Sequence, residues 1–261
     1  EVEVEKICQN YSNSKLLSLS RNFGHQIALT AGIDHADGDS VVMMDADLQH
    51  PPEILLKMID KWESGADIVS GVRSDGANNT LFKNYTSKLF YNLFNMLSET
   101  KIKQGSADFV LLSRNACNAL KSMPEYHRFL RAMISWIGFD REYVYYEQQD
   151  RYSGNTKYSF KKMIMLAYDG IFSFTTAPIH AIIKAGLLIS ASGFIYIFYA
   201  LIRYIFIGDA VPGWTSMIGV ITILGGVQIL FIGITGDYIA RIFQQSKNRP
   251  IYIIKKKSKN I

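Results

Sequence analysis

Asp45 and Asp47 stand one residue apart at the end of the run Val41-Val42-Met43-Met44, and Leu48-Gln49-His50-Pro51-Pro52-Glu53 follows them. Four consecutive apolar residues read as a buried strand. Carboxylates at i and i+2 where such a strand ends can converge on one hard cation, and magnesium takes one or two carboxylates together with substrate phosphates. The place suits this chemistry, because α/β proteins bind ligands outside the carboxyl ends of their strands. An Asp-x-Asp pair in isolation is better explained as a solvated strand-to-helix turn.

Other candidates are cations and one further acid. Arginine suits bidentate contact with phosphate. Arg73 follows Gly71 at the end of the run Asp67–Arg73. Lys83, Arg128 and Arg131 are also candidate phosphate binders, although a solvated helix face explains them equally well. Asp108 precedes the apolar run Phe109-Val110-Leu111-Leu112 and reads either as a site residue or as a strand cap. His25, His35, His50, His127 and His180 show no metal-ligand spacing and read as structural or solvated. The Phe82, Phe90, Tyr91 and Phe94 stripe reads as core or membrane-facing.

These residues need a scaffold, and the chain predicts one of α/β class. Glu1–Asn10 reads as the end of a helix, and Lys15–Ser20 as a short strand. His25–His35 then reads as a helix, Val41–Met44 as a strand, and Ile54–Trp62 as a helix ended by Gly65. Asp67–Arg73 is a strand, Ser74–Thr80 a loop and Lys83–Leu97 an amphipathic helix. The strand Asp108–Leu112, the helices Arg114–Lys121 and Phe129–Ile137, and the strand Glu142–Tyr146 complete the series. Alternation of strands and helices predicts a mainly parallel sheet.

The character of the chain changes after that. Residues 159–184 are amphipathic and suited to a membrane interface. Ala185–Ile207 and Thr215–Ile234 are apolar for long enough to span a bilayer, which takes about 20 residues. A pair of buried helices in a soluble core is the competing reading, disfavoured by two consecutive spans with so short a turn between them. The expected organisation is an α/β domain over 1–158, juxtamembrane helices over 159–184, two spans over 185–238 and a basic tail over 239–261.

Composition agrees. The chain has 261 residues, is 48% hydrophobic and carries a formal net charge of +5. Part of that charge is the cluster Lys255-Lys256-Lys257-Ser258-Lys259, which beside a span favours anionic lipid over nucleic acid. The turn between the spans has no Lys or Arg, so the positive-inside rule predicts both termini cytoplasmic. The two cysteines, Cys8 and Cys117, make no disulfide framework and no metal site.

Three segments taken in order carry a resemblance. They are Ser20-Arg21-Asn22-Phe23-Gly24-His25-Gln26, Asp45-Ala46-Asp47-Leu48-Gln49-His50-Pro51-Pro52-Glu53 and Ser106-Ala107-Asp108-Phe109. With Gly236-Asp237-Tyr238-Ile239-Ala240-Arg241 and Lys247-Asn248-Arg249-Pro250-Ile251-Tyr252, they resemble family 2 glycosyltransferases of the polyprenyl-phosphate branch. The resemblance covers nearly the whole chain. It implies a GT-A-like domain, an Mg2+ or Mn2+ ion on Asp45, Asp47 and Gln49, and a UDP- or GDP-linked sugar donor contacted by Asp45, Ala46, Arg21, Asn22 and Gly24, although a tight turn explains Arg21, Asn22 and Gly24 equally well. It makes Asp108 and Asp47 the catalytic pair. Arg73, Lys83, Arg128, Arg131, Arg151, Lys157 and Tyr158 become the acceptor-phosphate set, although attraction to anionic lipid explains the loop of Arg151, Lys157 and Tyr158 as well.

The implied reaction moves one sugar to a polyprenyl phosphate at the cytoplasmic face of the inner membrane, generally with inversion. No nucleic-acid partner is expected, and the glycine-rich second span permits a homo-oligomer. The first strand of such proteins and their Asp-Asp-Gly-Ser-like segment are not found, so the chain is expected to be a truncated copy of a longer protein. The rival readings are a glycan-chain synthase of the same superfamily, which lacks support without a Gln-x-x-Arg-Trp-like segment, and a non-catalytic membrane scaffold.

Overall fold

The computed structural model describes residues 2–11, 13–74, 91–92, 94–98, 100–147, 168, 170, 172, 175–207 and 213–257. The chain divides into two units, Glu1–Phe174 with Asn248–Ile261, and Thr175–Lys247.

The first unit runs α1 (Val2–Asn10), β1 (Leu17–Leu19), α2 (His25–Asp34), β2 (Ser40–Met43), α3 (Ile54–Glu63), β3 (Ile68–Ser74), β4 (Ser106–Ser113), α4 (Arg114–Ser122), α5 (Leu130–Trp136) and β5 (Arg141–Glu147). The last strand, β6 (Ile254–Lys257), comes from the far end of the chain. Four strands form a sheet in the order β2-β4-β3-β5. β4 is antiparallel to both its neighbours, and β3 and β5 are parallel. Hence β2, β3 and β5 share one direction and β4 opposes them. The α/β class is as the sequence predicts, and the sheet is mixed, with its parallel majority interrupted by β4. A strand covered on both faces is an uninterrupted apolar run whichever way it points.

β4 is buried along its whole length and divides the core. Side chains alternate across a strand. Val110 and Leu112 accordingly join Ile33, Leu120, Leu130 and Met133 under α2, α4 and α5. Phe109 and Leu111 join Met58, Val69, Val144 and Tyr146 on the opposite face, where Ile54, Ile59 and Trp62 of α3 pack. By the same parity Asp108 is directed toward α2 and α5, while Phe109 is directed away. The Ser113 hydroxyl caps α4 by accepting from the Ala116 N–H at 3.2 Å and donates to Asp67 at 2.7 Å.

Gly71 is the tightest point of the α3 face. A Cβ there would lie 2.9 Å from Phe109 Cδ1 and 3.1 Å from the Phe109 carbonyl oxygen. Gly71→Ala should therefore overpack the sheet and cost about 1–3 kcal/mol, seen as a lower melting temperature in detergent. An unchanged melting curve would show that the backbone relieves the contact.

The end of the chain differs from the expected tail. The second long helix runs on to Ser246, past residue 239. It stops because Asn248 takes a positive φ of 48° and Pro250 follows, a common way to end a helix. The segment after it pairs antiparallel with β1, with Leu17 opposite Lys257 and Ser18 opposite Lys256. The Tyr252 hydroxyl donates to Asp34 at 2.9 Å, and Lys256 pairs with Glu5 at 2.8 Å. The lysine cluster is thus partly a paired strand. Ile251 and Ile253, easily overlooked among basic residues, precede that pairing.

The second unit holds α6 (Ala177–Ile207) and α7 (Trp214–Ser246). Both are long and apolar enough to cross a membrane. Leu188, Phe194, Ile195, Ile229 and Ile232 are exposed along them. No break separates an interfacial helix from a span at residue 184, because α6 is continuous from Ala177. Its 31 residues extend about 46 Å at 1.5 Å each, against a hydrocarbon core of about 30 Å. The Tyr238 hydroxyl donates to the Thr175 carbonyl at 2.9 Å, and Asp237 pairs with Arg241 one turn along α7.

Candidate active site

Asp108 is 7% exposed and ionised, so it can only accept hydrogen bonds, and donors from two helices converge on it. Arg131, on α5, grips it with both arms of the guanidinium, Nε to Oδ1 at 2.7 Å and Nη2 to Oδ2 at 3.2 Å. Gln26, on α2, donates from Nε2 to Oδ2 at 3.1 Å. Its other amide atom, Oε1, accepts from the Leu130 N–H at 2.9 Å, which ties the start of α5 to the same residue. The His25 ring adds a fourth donor at 3.3 Å. Burial alone would raise the Asp108 carboxyl, but the Arg131 charge and the His25 and Arg131 hydrogen bonds outweigh it and hold the group well below the usual carboxylate range.

His25 lies between two acids. Its Nε2 is 3.3 Å from Asp108 and 3.6 Å from Asp45 Oδ1, and its side chain is half exposed. The hydrogen bond to Asp108 raises its pKa despite some burial, and the Asp45 charge adds to the effect. Both neighbouring carboxylates thus favour a proton on the ring.

The Asp45–His50 loop leaves β2 as a compact turn. The Gln49 N–H donates to Asp47 Oδ1 at 3.2 Å, an Asx turn. Leu48 takes a positive φ of 61°, unusual for a residue with a Cβ. The Asp45 N–H donates to His50 Nδ1 at 3.1 Å. Burial lowers the His50 pKa, which agrees with the acceptor role of Nδ1 in that bond. Asp45, Asp47 and Gln49 are partly exposed and Ala46 is exposed.

Arg73 is the last residue but one of β3, and its N–H donates to the Gly105 carbonyl at 3.0 Å. Its positive charge acts on both His50 and Tyr146, as do the charges of Asp45 and Asp47, so it belongs to the same cluster. Burial raises Tyr146 to about 12.

A cavity of about 410 Å³ opens beside Asp108. Arg21, Asn22 and Gly24 line it together with His25, Gln26, Arg128 and Arg131. Asn22 accepts from the Gly24 N–H at 2.9 Å, and Gly24 has a φ of 94°, which suits glycine at the start of α2. Arg21 lies 4.3 Å over the Phe23 ring. Arg128 donates to the Met123 carbonyl, and burial lowers its pKa. Three of the five residues expected for the donor, Arg21, Asn22 and Gly24, and two of those expected for the acceptor, Arg128 and Arg131, therefore share one basic cavity, which Asp45 and Ala46 do not line. Asp45 and Asp47 follow the end of β2 and Arg73 stands near the end of β3, and His25 connects Asp45 to the cavity. Lys83, Arg151, Lys157 and Tyr158 lie outside the described residues.

From sequence His25 and His50 read as structural or solvated, and Gln26 carries no signal of its own. Gln26 and His25 fall in one of the quoted segments and His50 in another, but nothing in their spacing indicates that they meet Asp108 or the Asp45 backbone.

Two carboxylates held by an Asx turn fit a divalent ion. Among the described residues no three His, Cys, Asp or Glu side chains gather to form a closed cage. This donor set suits Mg2+ or Mn2+, which keep positions for substrate phosphate oxygens.

An acidic turn at the carboxyl end of a strand, beside a buried acid gripped by arginine and opening on a basic cavity, has the chemistry that suits phosphorylated substrates. Residues 1–120 match the family model described as Glycosyl transferase family 2. A glycosyltransferase of Bacillus subtilis, YkcC, is 41% identical over 242 residues, 93% of this chain and 75% of that protein. A prophage bactoprenol glucosyl transferase homolog of Escherichia coli is 40% identical over 243 residues, 93% of this chain and 79% of that protein. The bactoprenol glucosyl transferase of Shigella phage SfII is 41% identical over 240 residues, covering 92% and 78%. The chain belongs to glycosyl transferase family 2 and is a glycosyltransferase.

Proposed function

We propose that the protein transfers one sugar from a nucleotide diphosphate sugar to a polyprenyl phosphate at the cytoplasmic face of the inner membrane. The observation that carries this reading is the junction at His25, which joins the Asp45/Asp47 turn to the Asp108–Arg131 pair at the mouth of a basic cavity. The named activity of the Escherichia coli and Shigella phage relatives supports it, as do two helices able to cross a membrane. The absence of Lys and Arg from the turn between the two helices supports a cytoplasmic side for both termini.

Asp45 and Asp47, with Gln49 beside them, would hold the divalent ion. When bound, that ion supplies Lewis-acid neutralisation of the donor diphosphate. Arg73 faces the same phosphates. Arg21, Asn22 and Gly24 shape the donor side of the cavity, and Arg128 draws the acceptor phosphate toward it. An oxygen of the acceptor phosphate attacks the anomeric carbon, and the bond from that carbon to the diphosphate oxygen breaks. The nucleoside diphosphate leaves as an anion. Fixed charges in place before reaction make this an electrostatic form of catalysis.

A lipid phosphate is already anionic, so the reaction asks for little proton removal. Asp108, saturated with donors, orients His25 and Arg131 rather than acting as a strong base. Lys83, Arg151, Lys157 and Tyr158 remain assigned to the acceptor on the resemblance.

Detergent-solubilised protein incubated with labelled UDP-glucose, other UDP- and GDP-sugars and undecaprenyl phosphate should yield a labelled glycolipid only when Mg2+ or Mn2+ is added. No product from any donor, together with no binding of nucleotide, would favour a scaffold.

A further inference from the structure

We propose that His50 is a positioning residue that fixes the Asp45/Asp47 pair for divalent-cation capture, acting through the Asp45 backbone. The proposal rests on the reading of that pair as the cation and diphosphate site.

His50 is 6% exposed, although it sits in a turn that leads out of the sheet. Its ring stacks on Phe109 at 4.8 Å with the planes 9° apart, and it meets the Tyr146 ring edge-on at 6.0 Å. Phe109 and Tyr146 meet edge-on at 5.6 Å, so the three rings form one packed group. Phe109 belongs to β4 and Tyr146 to β5, so the imidazole is clamped to the sheet. From that fixed seat Nδ1 accepts the Asp45 N–H at 3.1 Å.

The turn it closes is strained. Leu48 holds a positive φ of 61°, a conformation that disfavours a residue with a Cβ and persists only where its surroundings enforce it. The bond from Asp45 to His50 spans that residue, and the Asx turn at Asp47 lies inside it. A buried ring on one side and one hydrogen bond on the other thus hold both carboxylates in a single arrangement. Phe109 also follows Asp108 in β4, so one strand supports the Asp45/Asp47 turn from one face and presents Asp108 on the other. Groups that support metal ligands from behind typically change metal affinity or activity by 10–100-fold when lost.

The test separates the acceptor atom from the ring. In His50→Asn the side-chain oxygen occupies the place of Nδ1. In His50→Gln the polar atoms sit one bond further out. In His50→Phe the stack survives and the acceptor is lost. Mn2+ binding to each full-length variant in detergent, with UDP present, would be followed by electron paramagnetic resonance, alongside Mn2+-dependent transfer.

The expected result is Mn2+ affinity weakened by about 10–100-fold in the Phe and Gln variants and close to wild type in the Asn variant, with melting temperatures recorded for all. Wild-type affinity in His50→Phe, or in His50→Gln if the Phe variant does not fold, overturns the proposal. An Asn variant as weak as the Phe variant overturns it as well. A wild-type protein that binds no Mn2+ with UDP removes the underlying reading of Asp45 and Asp47.

Discussion

Asp108→Ala should reduce sugar transfer by about three orders of magnitude and destabilise the first unit by about 3–5 kcal/mol, the range for breaking one side of a buried ion pair. The stability loss follows from what remains. Arg131 has a side chain only 23% exposed and would lose its bidentate partner. Gln26 would keep its bond to Leu130 but lose its acceptor, and His25 would face Asp45 alone. The activity loss follows from the same rearrangement, because His25 and Arg131 would no longer be held at the cavity.

Asp108→Asn separates charge from shape. It retains an acceptor oxygen, should fold better than the alanine variant, and should still transfer sugar poorly. An Asn variant with wild-type kcat/KM would refute the importance of the charge. The pH dependence has a defined sign. The folded Asp108 pKa lies below its unfolded value of about 3.9, so its contribution is complete above that value and is lost as pH falls through the lower folded one. His25 behaves oppositely, since its folded pKa is raised. Its contribution is complete below the unfolded value of about 6.5 and fades as pH rises through the folded value. Acid unfolding of Asp108→Asn should therefore have a shallower slope below about pH 4.

Asp47→Ala should reduce metal-dependent transfer by about 100- to 1,000-fold, comparable with removal of one preorganised stabilising group. The carboxylate has two tasks that two substitutions distinguish. Its Oδ1 accepts the Gln49 N–H, which an asparagine can also do. Its charge serves the cation and the diphosphate, which an asparagine serves poorly. Asp47→Asn should then lose nearly as much activity as Asp47→Ala, while only the alanine variant should lose the turn hydrogen bond, worth about 1 kcal/mol. Mn2+ titrations of activity and melting curves of both variants would resolve the two effects. Full activity in Asp47→Asn would remove the charge from the mechanism.

The three acids were legible for different reasons. Asp45 and Asp47 are neighbours in sequence at the end of an apolar run, so local pattern alone brings them together. Asp108 was legible by its place ahead of four apolar residues, but its partners were not. Gln26 and Arg131 are 82 and 23 residues away from it. Arg131 was expected to meet a phosphate, and in the structure it holds Asp108. The tail was misjudged for a similar reason. Lysines at the end of a chain look solvated, and pairing with Leu17 and Ser18 is invisible in their own composition.

By itself the sequence determined the α/β class, nearly all element positions among the described residues of the first unit, the two helices long and apolar enough to cross a membrane and the Asp45/Asp47 turn. All of these depend on periodicity, apolar run length or adjacent residues, which are local. The tertiary structure alone decided the reversed direction of β4, the return of β6 to β1, the four donors around Asp108, and the seat of His50 against Phe109 and Tyr146. Each of these joins residues far apart in the chain, and each is decided by which faces of β4 and its neighbours pack against one another.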